Sequence, residues 1–172
     1  MAVRTIITAP DPRLKALSEP VERVDGAMRA LMDDMLETMY AARGIGLAAI
    51  QIGIPKRIIV MDLASSGEAP EPRYFVNPEI LWHSDEKQAN EEGCLSVPDL
   101  WDTVERPARI KARFLDYTGE AREIEADEML AVCLQHEIDH LNGVLFIDYL
   151  SKLKRGMMLR KLQKAKRLKE TA

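Results

Sequence analysis

The segment that decides the fold is DEMLAVCLQHEIDHLNG, residues 127–143. Asp127 is a typical helix N-cap and Asn142-Gly143 a typical stop, so the pattern predicts a helix between them. Apolar residues occupy two opposite sides of this helix. A helix that is apolar on both sides is buried, so we expect it at the centre of the molecule.

Four other segments predict the elements around this helix. Residues 26–42 have the apolar spacing of one helical face, with Asp25 as N-cap, and residues 57–63 are typical of a buried strand. The composition of residues 64–73 predicts a loop, and residues 109–114 alternate between basic and apolar before a turn at Thr118-Gly119 and a polar strand over 122–126. A hairpin without regular βαβ alternation predicts an α+β fold, with antiparallel β-sheets packed around the central helix.

Length and composition predict a single domain over residues 1–172. The chain is 47% hydrophobic and 30% charged, which suits one packed core. The longest apolar run, residues 129–134, is far below the roughly twenty residues that cross a bilayer, and the first ten residues do not resemble a secretion signal. We therefore expect a cytoplasmic protein with no membrane partner. In that compartment Cys94 and Cys133 are inert or metal ligands rather than a disulfide.

The charge is distributed unevenly along the chain. Residues 151–172 carry nine basic residues and one acid, whereas the remainder carries fifteen basic and twenty-seven acidic residues. This basic segment also has roughly helical apolar spacing and predicts a C-terminal amphipathic helix, with its apolar positions at Leu153, Met157, Leu162, Ala165 and Leu168. Such a helix can dock on a polyanion, and we predict ribosomal RNA and not DNA; the alternative is a solvated helix face.

His136-Glu137-Ile138-Asp139-His140 is an HExxH motif on the predicted central helix. Residues four apart on a helix lie on one face and are ~6 Å apart in rise, so both imidazoles can reach one metal ion. Glu137 lies beside them as a base rather than a ligand. The alternative is a pair of core histidines with a glutamate between them by chance.

A third ligand is needed. The candidates are Cys94, Cys133, His83 and distant carboxylates, and the residues favour Cys94. Cys133 lies on the same helical face, but seven residues from His140 and thus ~10 Å away along the axis. His83 lies in a polar stretch typical of a turn. Cys94 follows Gly93, which lets another backbone approach closely. One thiolate and two imidazoles leave a coordination position open, as catalysis requires; Zn, Ni, Co and Fe(II) all suit this set.

The segment GIGLAAIQ, residues 44–51, places two glycines before an uncharged amide donor. Paired glycines after a helix often form only a C-cap and a turn. However, bare backbone at Gly44 and Gly46 would let an extended peptide lie alongside. Gln51 is a candidate donor to an oxyanion.

These three segments, GIGLAAIQ, EGCLS and QHEIDH, resemble the three signature motifs of the peptide deformylase family in order and separation. The similarity extends from Asp11-Pro-Arg-Leu14 to the basic C-terminal helix, so it covers nearly the whole chain. Residues 99–103 vary among family members. The resemblance implies an α+β fold with antiparallel sheets around a central metal-binding helix.

The resemblance also implies a role for each site residue. It implies that Cys94, His136 and His140 hold one divalent metal ion, Fe(II) in the cell, and that Glu137 is the general base and acid. The implied oxyanion hole is Gln51 with the backbone N–H of Leu95, and the implied substrate-pairing residues are Ile45, Gly46 and Gly93.

The implied reaction is removal of the N-formyl group from formyl-methionyl nascent peptides. Met129, Val132 and Cys133 are candidates to line a slot for the methionine side chain, although each is also typical of core packing. Two alternatives are a general metallopeptidase and a non-catalytic RNA-binding module with a structural metal.

Overall fold

The structure is a computed structural model that describes residues 2–171. Its three α-helices are α1 (Gly26–Ala41), α2 (Glu128–Leu141) and α3 (Lys152–Thr171), and short 3-10 helices span Pro12–Lys15, Ala49–Ile52 and Phe146–Tyr149. The strands are β1 (Gly46–Ala48), β2 (Ile58–Asp62), β3 (Pro72–His83), β4 (Lys87–Cys94), β5 (Val97–Pro107), β6 (Ile110–Leu115) and β7 (Ala121–Ala126). The predicted α+β fold is confirmed.

The strands form one five-stranded antiparallel sheet and one separate hairpin. The sheet has the order β1-β2-β3-β6-β7, and β4 pairs with β5 alone. The predicted hairpin is β6–β7, with Ile110 opposite Ala126 and Leu115 opposite Ala121. Along β6 the burial alternates between buried apolar and exposed basic residues, as the sequence pattern predicted. Strand β1 is an edge strand, which leaves one side of it open.

Helix α2 lies at the centre, as predicted. Ten of its fourteen residues are buried, including His136, Glu137 and His140. Asp127 is its N-cap residue, although its side chain makes no capping hydrogen bond. At the other end Gly143 has φ +77°, a conformation that favours glycine, and its N–H donates to the His140 carbonyl over 3.1 Å. The helix therefore ends where the Asn-Gly pair predicted.

Strands β3, β4 and β5 have no clear signal in the sequence. The predicted loop over residues 64–73 is wrong at its end, because residues 72 and 73 pair with β2 as the start of β3. The end of β3 is exposed over residues 79–83, and β4 has the polar sequence KQANEEGC with little alternation in burial. Strands exposed on both faces lack the period-2 pattern that identifies a half-buried strand. The predicted polar turn around residues 84–86 does connect β3 to β4.

Helix α3 is confirmed, but its packed face differs from the predicted one. Leu162 is buried with Met158 and Leu159 against it, in a cluster that includes Val97 and Phe146. The other long apolar side chains of the predicted stripe, Leu153, Met157 and Leu168, are exposed. The reason is that α3 contacts the rest of the chain mainly through β5 and the 3-10 helix at 146–149, so only a narrow strip of it is covered.

Candidate metal and hydrolytic centre

Cys94, His136 and His140 meet at one point. The two histidines lie one turn apart on α2, and Cys94 is the last residue of β4, after a register shift between Glu92 and Cys94. The three donor atoms all lie within 4.8 Å of one another, and the Cys94 Sγ–His140 Nε2 distance is 3.3 Å. A remote strand thus brings the predicted thiol to the two predicted imidazoles.

This donor set fits a divalent metal ion. Donor atoms that bind one ion at ~2.0–2.3 Å lie no more than ~4.6 Å from one another. This limit is close to the 4.8 Å within which the three donor atoms lie here. His136 Nδ1 lies 2.9 Å from Glu92 Oε1, so its Nε2 is the nitrogen left for an ion. His140 is fully buried, and a buried imidazole beside a thiol is typical of a ligand.

The two rejected candidates lie outside this set. Cys133 is buried on the wall of the cleft, and burial raises the pKa of its thiol to about 12, so it stays protonated. His83 ends β3, with its Nδ1 3.2 Å from the Ser84 carbonyl oxygen.

Glu137 lies beside the donor set without joining it. Its Oε1 is 3.9 Å from His140 Nε2 and is buried with no hydrogen-bond partner among the described residues. Burial raises the pKa of this carboxyl group to about 7. A Cβ at Gly46 would lie 2.6 Å from Glu137 Oε2, so the bare glycine lets the β1 backbone approach the carboxylate without displacing it.

Gln51 is buried and held by both ends of its amide. Its Oε1 accepts the Ala48 N–H over 2.9 Å, and its Nε2 donates to Ser96 Oγ over 3.0 Å. This fixes the amide with its NH₂ group toward the metal donors, 3.6 Å from Cys94 Sγ. The sequence singled out Gln51 but not Ser96, which orients it from the EGCLS segment.

A cleft of about 570 Å³ opens onto these groups. Its lining includes the predicted substrate-pairing segments, Gly44, Ile45 and Gly46 from one and Gly93 and Leu95 from the other. The residues of α2 that line it are Met129, Val132, Cys133, His136 and Glu137. Every residue assigned to the site from the sequence, except His140 behind the others, therefore lines one cleft.

Comparison with known proteins gives the family. The family model described as polypeptide deformylase matches residues 3–156. The peptide deformylase of Phenylobacterium zucineum is 65% identical over 164 residues, covering 95% of this chain and 97% of that protein. The chain belongs to the polypeptide deformylase family. The predicted enzyme class, a metal-dependent hydrolase, is thereby confirmed. The family found is neither a general metallopeptidase nor a non-catalytic RNA-binding module.

Solved deformylase structures agree with this. The crystal structure of peptide deformylase from Ehrlichia chaffeensis superposes with a TM-score of 0.93 at 47% identity, covering 98% of this chain and 99% of that one. A second structure of the Ehrlichia protein, at 49% identity and TM-score 0.93, covers 97% of this chain and 99% of that one, and is a complex with actinonin.

Behind the donor set lies a buried ionic network that the sequence pattern does not reveal. Arg106 donates to both oxygens of Glu92, over 2.7 and 2.9 Å, and to Asp139 Oδ2 over 2.8 Å. Tyr149 donates to the same Asp139 oxygen over 2.7 Å, and the Arg106 guanidinium lies 5.0 Å from the centre of the Tyr149 ring. Glu92 thus connects Arg106 to the ring of His136.

The network keeps Glu92 and Arg106 charged. Burial alone would raise the pKa of Glu92, but its hydrogen bonds with His136 and Arg106 outweigh that effect and lower the pKa. Burial likewise opposes the charge of Arg106, yet Glu92 and Asp139 raise the pKa of the guanidinium. The only sequence signal was position: Glu92 directly precedes Gly93-Cys94 and Asp139 lies inside the HExxH motif, whereas nothing in the sequence marked Arg106 as buried.

Proposed function

We propose that this chain hydrolyses the N-formyl group of formyl-methionyl nascent peptides, releasing formate. The observation that carries the proposal is the Cys94/His136/His140 donor set, placed in one cleft with the buried carboxylate of Glu137. In this proposal those three residues hold one divalent ion. When bound, the ion supplies Lewis-acid chemistry that polarises a carbonyl and lowers the pKa of water.

Glu137 is proposed as the general base and then the general acid. Its carboxylate faces the cleft beside the donor set, where it can take a proton from the attacking water and return it to the departing amine. The absence of a hydrogen-bond partner for its Oε1 among the described residues supports this role, because a carboxylate already paired inside the protein is a weaker proton acceptor.

Gln51 and the backbone N–H of Leu95 are proposed to stabilise the oxyanion formed on attack at the formyl carbon. The two contacts that orient the Gln51 amide leave its NH₂ group toward Cys94, the residue that precedes Leu95. Donors fixed before the reaction stabilise developing charge without reorganising, and one such donor typically contributes roughly 3 kcal/mol.

The substrate is proposed to pair as an extended strand with the open edge of β1. The Ile45 carbonyl faces β2, where it accepts the Asp62 N–H over 2.9 Å. The Ala48 N–H does not pair with β2 and donates to the Gln51 side chain. Since main-chain groups alternate in direction along a strand, those of Gly46 face the open edge. Gly46 is therefore the main pairing residue in this proposal, with Gly44, Ile45 and Gly93 beside the path.

The methionine side chain of the substrate is proposed to enter the slot formed by Met129, Val132 and Cys133. All three line the cleft on the α2 side, upstream of His136. A protonated Cys133 thiol is a small apolar group and suits such a slot.

Formate release tests this function. We expect the protein, purified without air, to release formate from a formyl-Met-Ala peptide and to leave an acetyl-Met-Ala peptide intact, because a formyl group is small and a site fitted to it would reject the added methyl group. Metal content is read from the same sample. Cleavage of the Met–Ala bond, or equal rates on both peptides, would indicate a general metallopeptidase instead.

Fe(II) is the proposed ion in the cell, supported by the family resemblance and by a donor set that suits Fe(II), Zn, Ni and Co alike. Elemental analysis of protein purified without air tests this. If it is correct, exposure to air lowers activity, and replacement by Ni or Co protects it. A sample that contains stoichiometric zinc and keeps full activity in air would contradict the assignment.

We further propose that the protein is cytoplasmic and meets its substrate at the ribosome. Within residues 2–171 no helix is both long enough and apolar enough to span a bilayer. Support for the ribosome comes from α3, whose outward side carries exposed bases such as Lys161 and Lys164. We propose that α3 is part of a single catalytic domain, because Leu162 packs with Val97 and Phe146.

A further inference from the structure

Trp101 is the one large aromatic side chain on the wall of the cleft among the described residues; the only other aromatic ring there is that of His136. It lies on β5 and is 62% exposed, which is unusual for an indole. The proposed function gives it no role, and the sequence analysis did not single it out.

The position of the indole is set by Gly93. A Cβ built on Gly93 would collide with three carbon atoms of the Trp101 ring, so the ring lies against the bare Cα of this glycine. Gly93 directly precedes the donor Cys94. One side of the indole is therefore covered by β4 immediately beside the reaction centre, while the rest of it is open.

Two more exposed apolar side chains line the same cleft, Ile45 at 47% and Met129 at 51% exposure. Single exposed apolar residues need no explanation, but several around one cleft mark a binding surface. We call Ile45, Trp101 and Met129 the apolar rim. The rim comes from three separate parts of the chain, the bend before β1, strand β5 and helix α2, so no one helix face or strand accounts for it.

We propose that Trp101 determines specificity for the peptide that follows the formyl-methionine, by contacting a large apolar side chain at one of the next two positions. This inference rests on the proposed function. An extended peptide paired with Gly46 passes between β1 and Gly93, and its side chains alternate in direction. One of the two positions after methionine then points toward the indole.

The contact is expected to act on binding rather than on the chemical step. The indole is not among the groups assigned to proton transfer or to the oxyanion, so its contact is the same in ground state and transition state. Such uniform binding lowers KM and leaves kcat unchanged.

Three peptides test this: formyl-Met-Leu-Ser, formyl-Met-Ser-Leu and formyl-Met-Ser-Ser. With the wild-type protein we expect one leucine peptide to exceed the Ser-Ser peptide by about fivefold in kcat/KM, through KM, as partial burial of one leucine side chain predicts. In Trp101→Ala this ratio falls to near one, and in Trp101→Phe it is largely kept. Trp82→Ala is the matched control, because Trp82 is 45% exposed and lies outside the cleft, against Arg109 and Lys111.

Equal kcat/KM for all three peptides with the wild-type protein would overturn the inference, as would a leucine preference that survives in Trp101→Ala. If the indole on Gly93 has a purely structural role, Trp101→Ala lowers kcat/KM for all three peptides by the same factor. The ratio between the leucine and Ser-Ser peptides then stays unchanged. If the wild-type protein releases no formate from any of them, the proposed function fails and this inference fails with it.

Discussion

At the scale of a single residue, Glu92 has two structural roles. Its carboxylate orients His136 and neutralises the buried guanidinium of Arg106. Removing one partner of a buried ion pair leaves the other charge unsolvated, which costs more than the pair contributes. The metal donors therefore depend on a side chain that binds no metal.

Glu92→Gln is predicted to lower both stability and metal affinity. We expect a loss of ~3–5 kcal/mol in the free energy of unfolding, because Arg106 loses its main counter-charge. Loss of the His136 contact weakens metal binding by roughly 10–100-fold. Urea unfolding and chelator competition measure the two effects. Glu91→Gln is the control, since Glu91 is its exposed neighbour; equal effects in both variants would show that the network is not the cause.

Glu137→Gln is predicted to separate metal binding from turnover. The amide has nearly the shape of the carboxylate but cannot accept the proton, so formate release falls by roughly 10²–10⁴-fold. Metal content is unchanged, because Glu137 is outside the donor set of Cys94, His136 and His140. Elemental analysis and a formate assay on one preparation decide the matter. Turnover within tenfold of the wild type would show that Glu137 is not the general base.

At the scale of secondary structure, the end of α2 is fixed by contact with the N-terminal segment. Gly143 has φ +77°, and a Cβ there would collide with the Lys15 carbonyl oxygen. Gly143→Ala is predicted to lose clearly more stability than the ~1–2 kcal/mol that a left-handed conformation costs an alanine. The control is Gly67→Ala, which has φ +91° but nothing within 4 Å. Similar urea midpoints for the two variants would mean that Lys15 moves aside freely.

The β6–β7 turn depends on Asp116. Its carboxylate accepts from Thr118 N and Oγ1, Glu120 N and Arg122 Nε over 2.8–3.0 Å. Burial alone would raise the pKa of Asp116, but the bonds from Thr118 and Arg122 lower it to about 2. A depressed pKa stabilises the fold above the unfolded value of ~3.9, and this contribution is lost as the pH falls toward 2.

Asp116→Asn is therefore predicted to be less stable than the wild type at pH 7, with the gap narrowing below pH ~4. Urea midpoints of both proteins at pH 7, 5 and 3 measure the gap. Asp85→Asn serves as control, because Asp85 is an exposed residue of the β3–β4 turn. A gap that stays constant down to pH 3 would exclude ionisation of Asp116 as its source.

The elements that were predictable have one buried and one exposed face, or are buried throughout. Helix α1 and strand β6 follow from their periodicity and strand β2 from its unbroken apolar run. Asp25 caps α1 through Met28 N as expected. Strands β4 and β5 were not predictable, since they pair only with each other and expose polar residues on both faces. Their identity comes from long-range pairing, which local pattern does not encode.

The site was predictable as far as its residues have distinctive chemistry. HExxH identifies two imidazoles through helical spacing, and Cys94 followed because few other ligands remained. Ser96 and Arg106 have no such signal: a serine and an arginine are ordinary in any strand, and only the fold buries them against Gln51 and Glu92. Their roles depend on contacts 14 to 45 residues apart in sequence.

At the scale of the whole molecule, the opposite charges of body and tail suggest one orientation on a polyanion. The acidic body is repelled from phosphate while α3 is attracted, so the protein would approach RNA with α3 first. Lys154 and Arg155 already pair with Asp102 and Asp148. The bases further along the helix are therefore the better candidates for phosphate contact.

Replacement of Lys161 and Lys164 by Glu is predicted to weaken ribosome binding without affecting formate release from short peptides. Both side chains are exposed on α3 and one turn apart. Losing two phosphate contacts lowers the slope of log K against log salt by about 1–2. In the control, Lys15 and Lys87 are replaced by Glu. Both lysines are exposed on the acidic body, so the net charge changes by the same amount. Cosedimentation with ribosomes at several salt concentrations compares the two variants. Equally weakened ribosome binding in both would indicate an effect of net charge. Unchanged binding in both would show that α3 is not part of the interface.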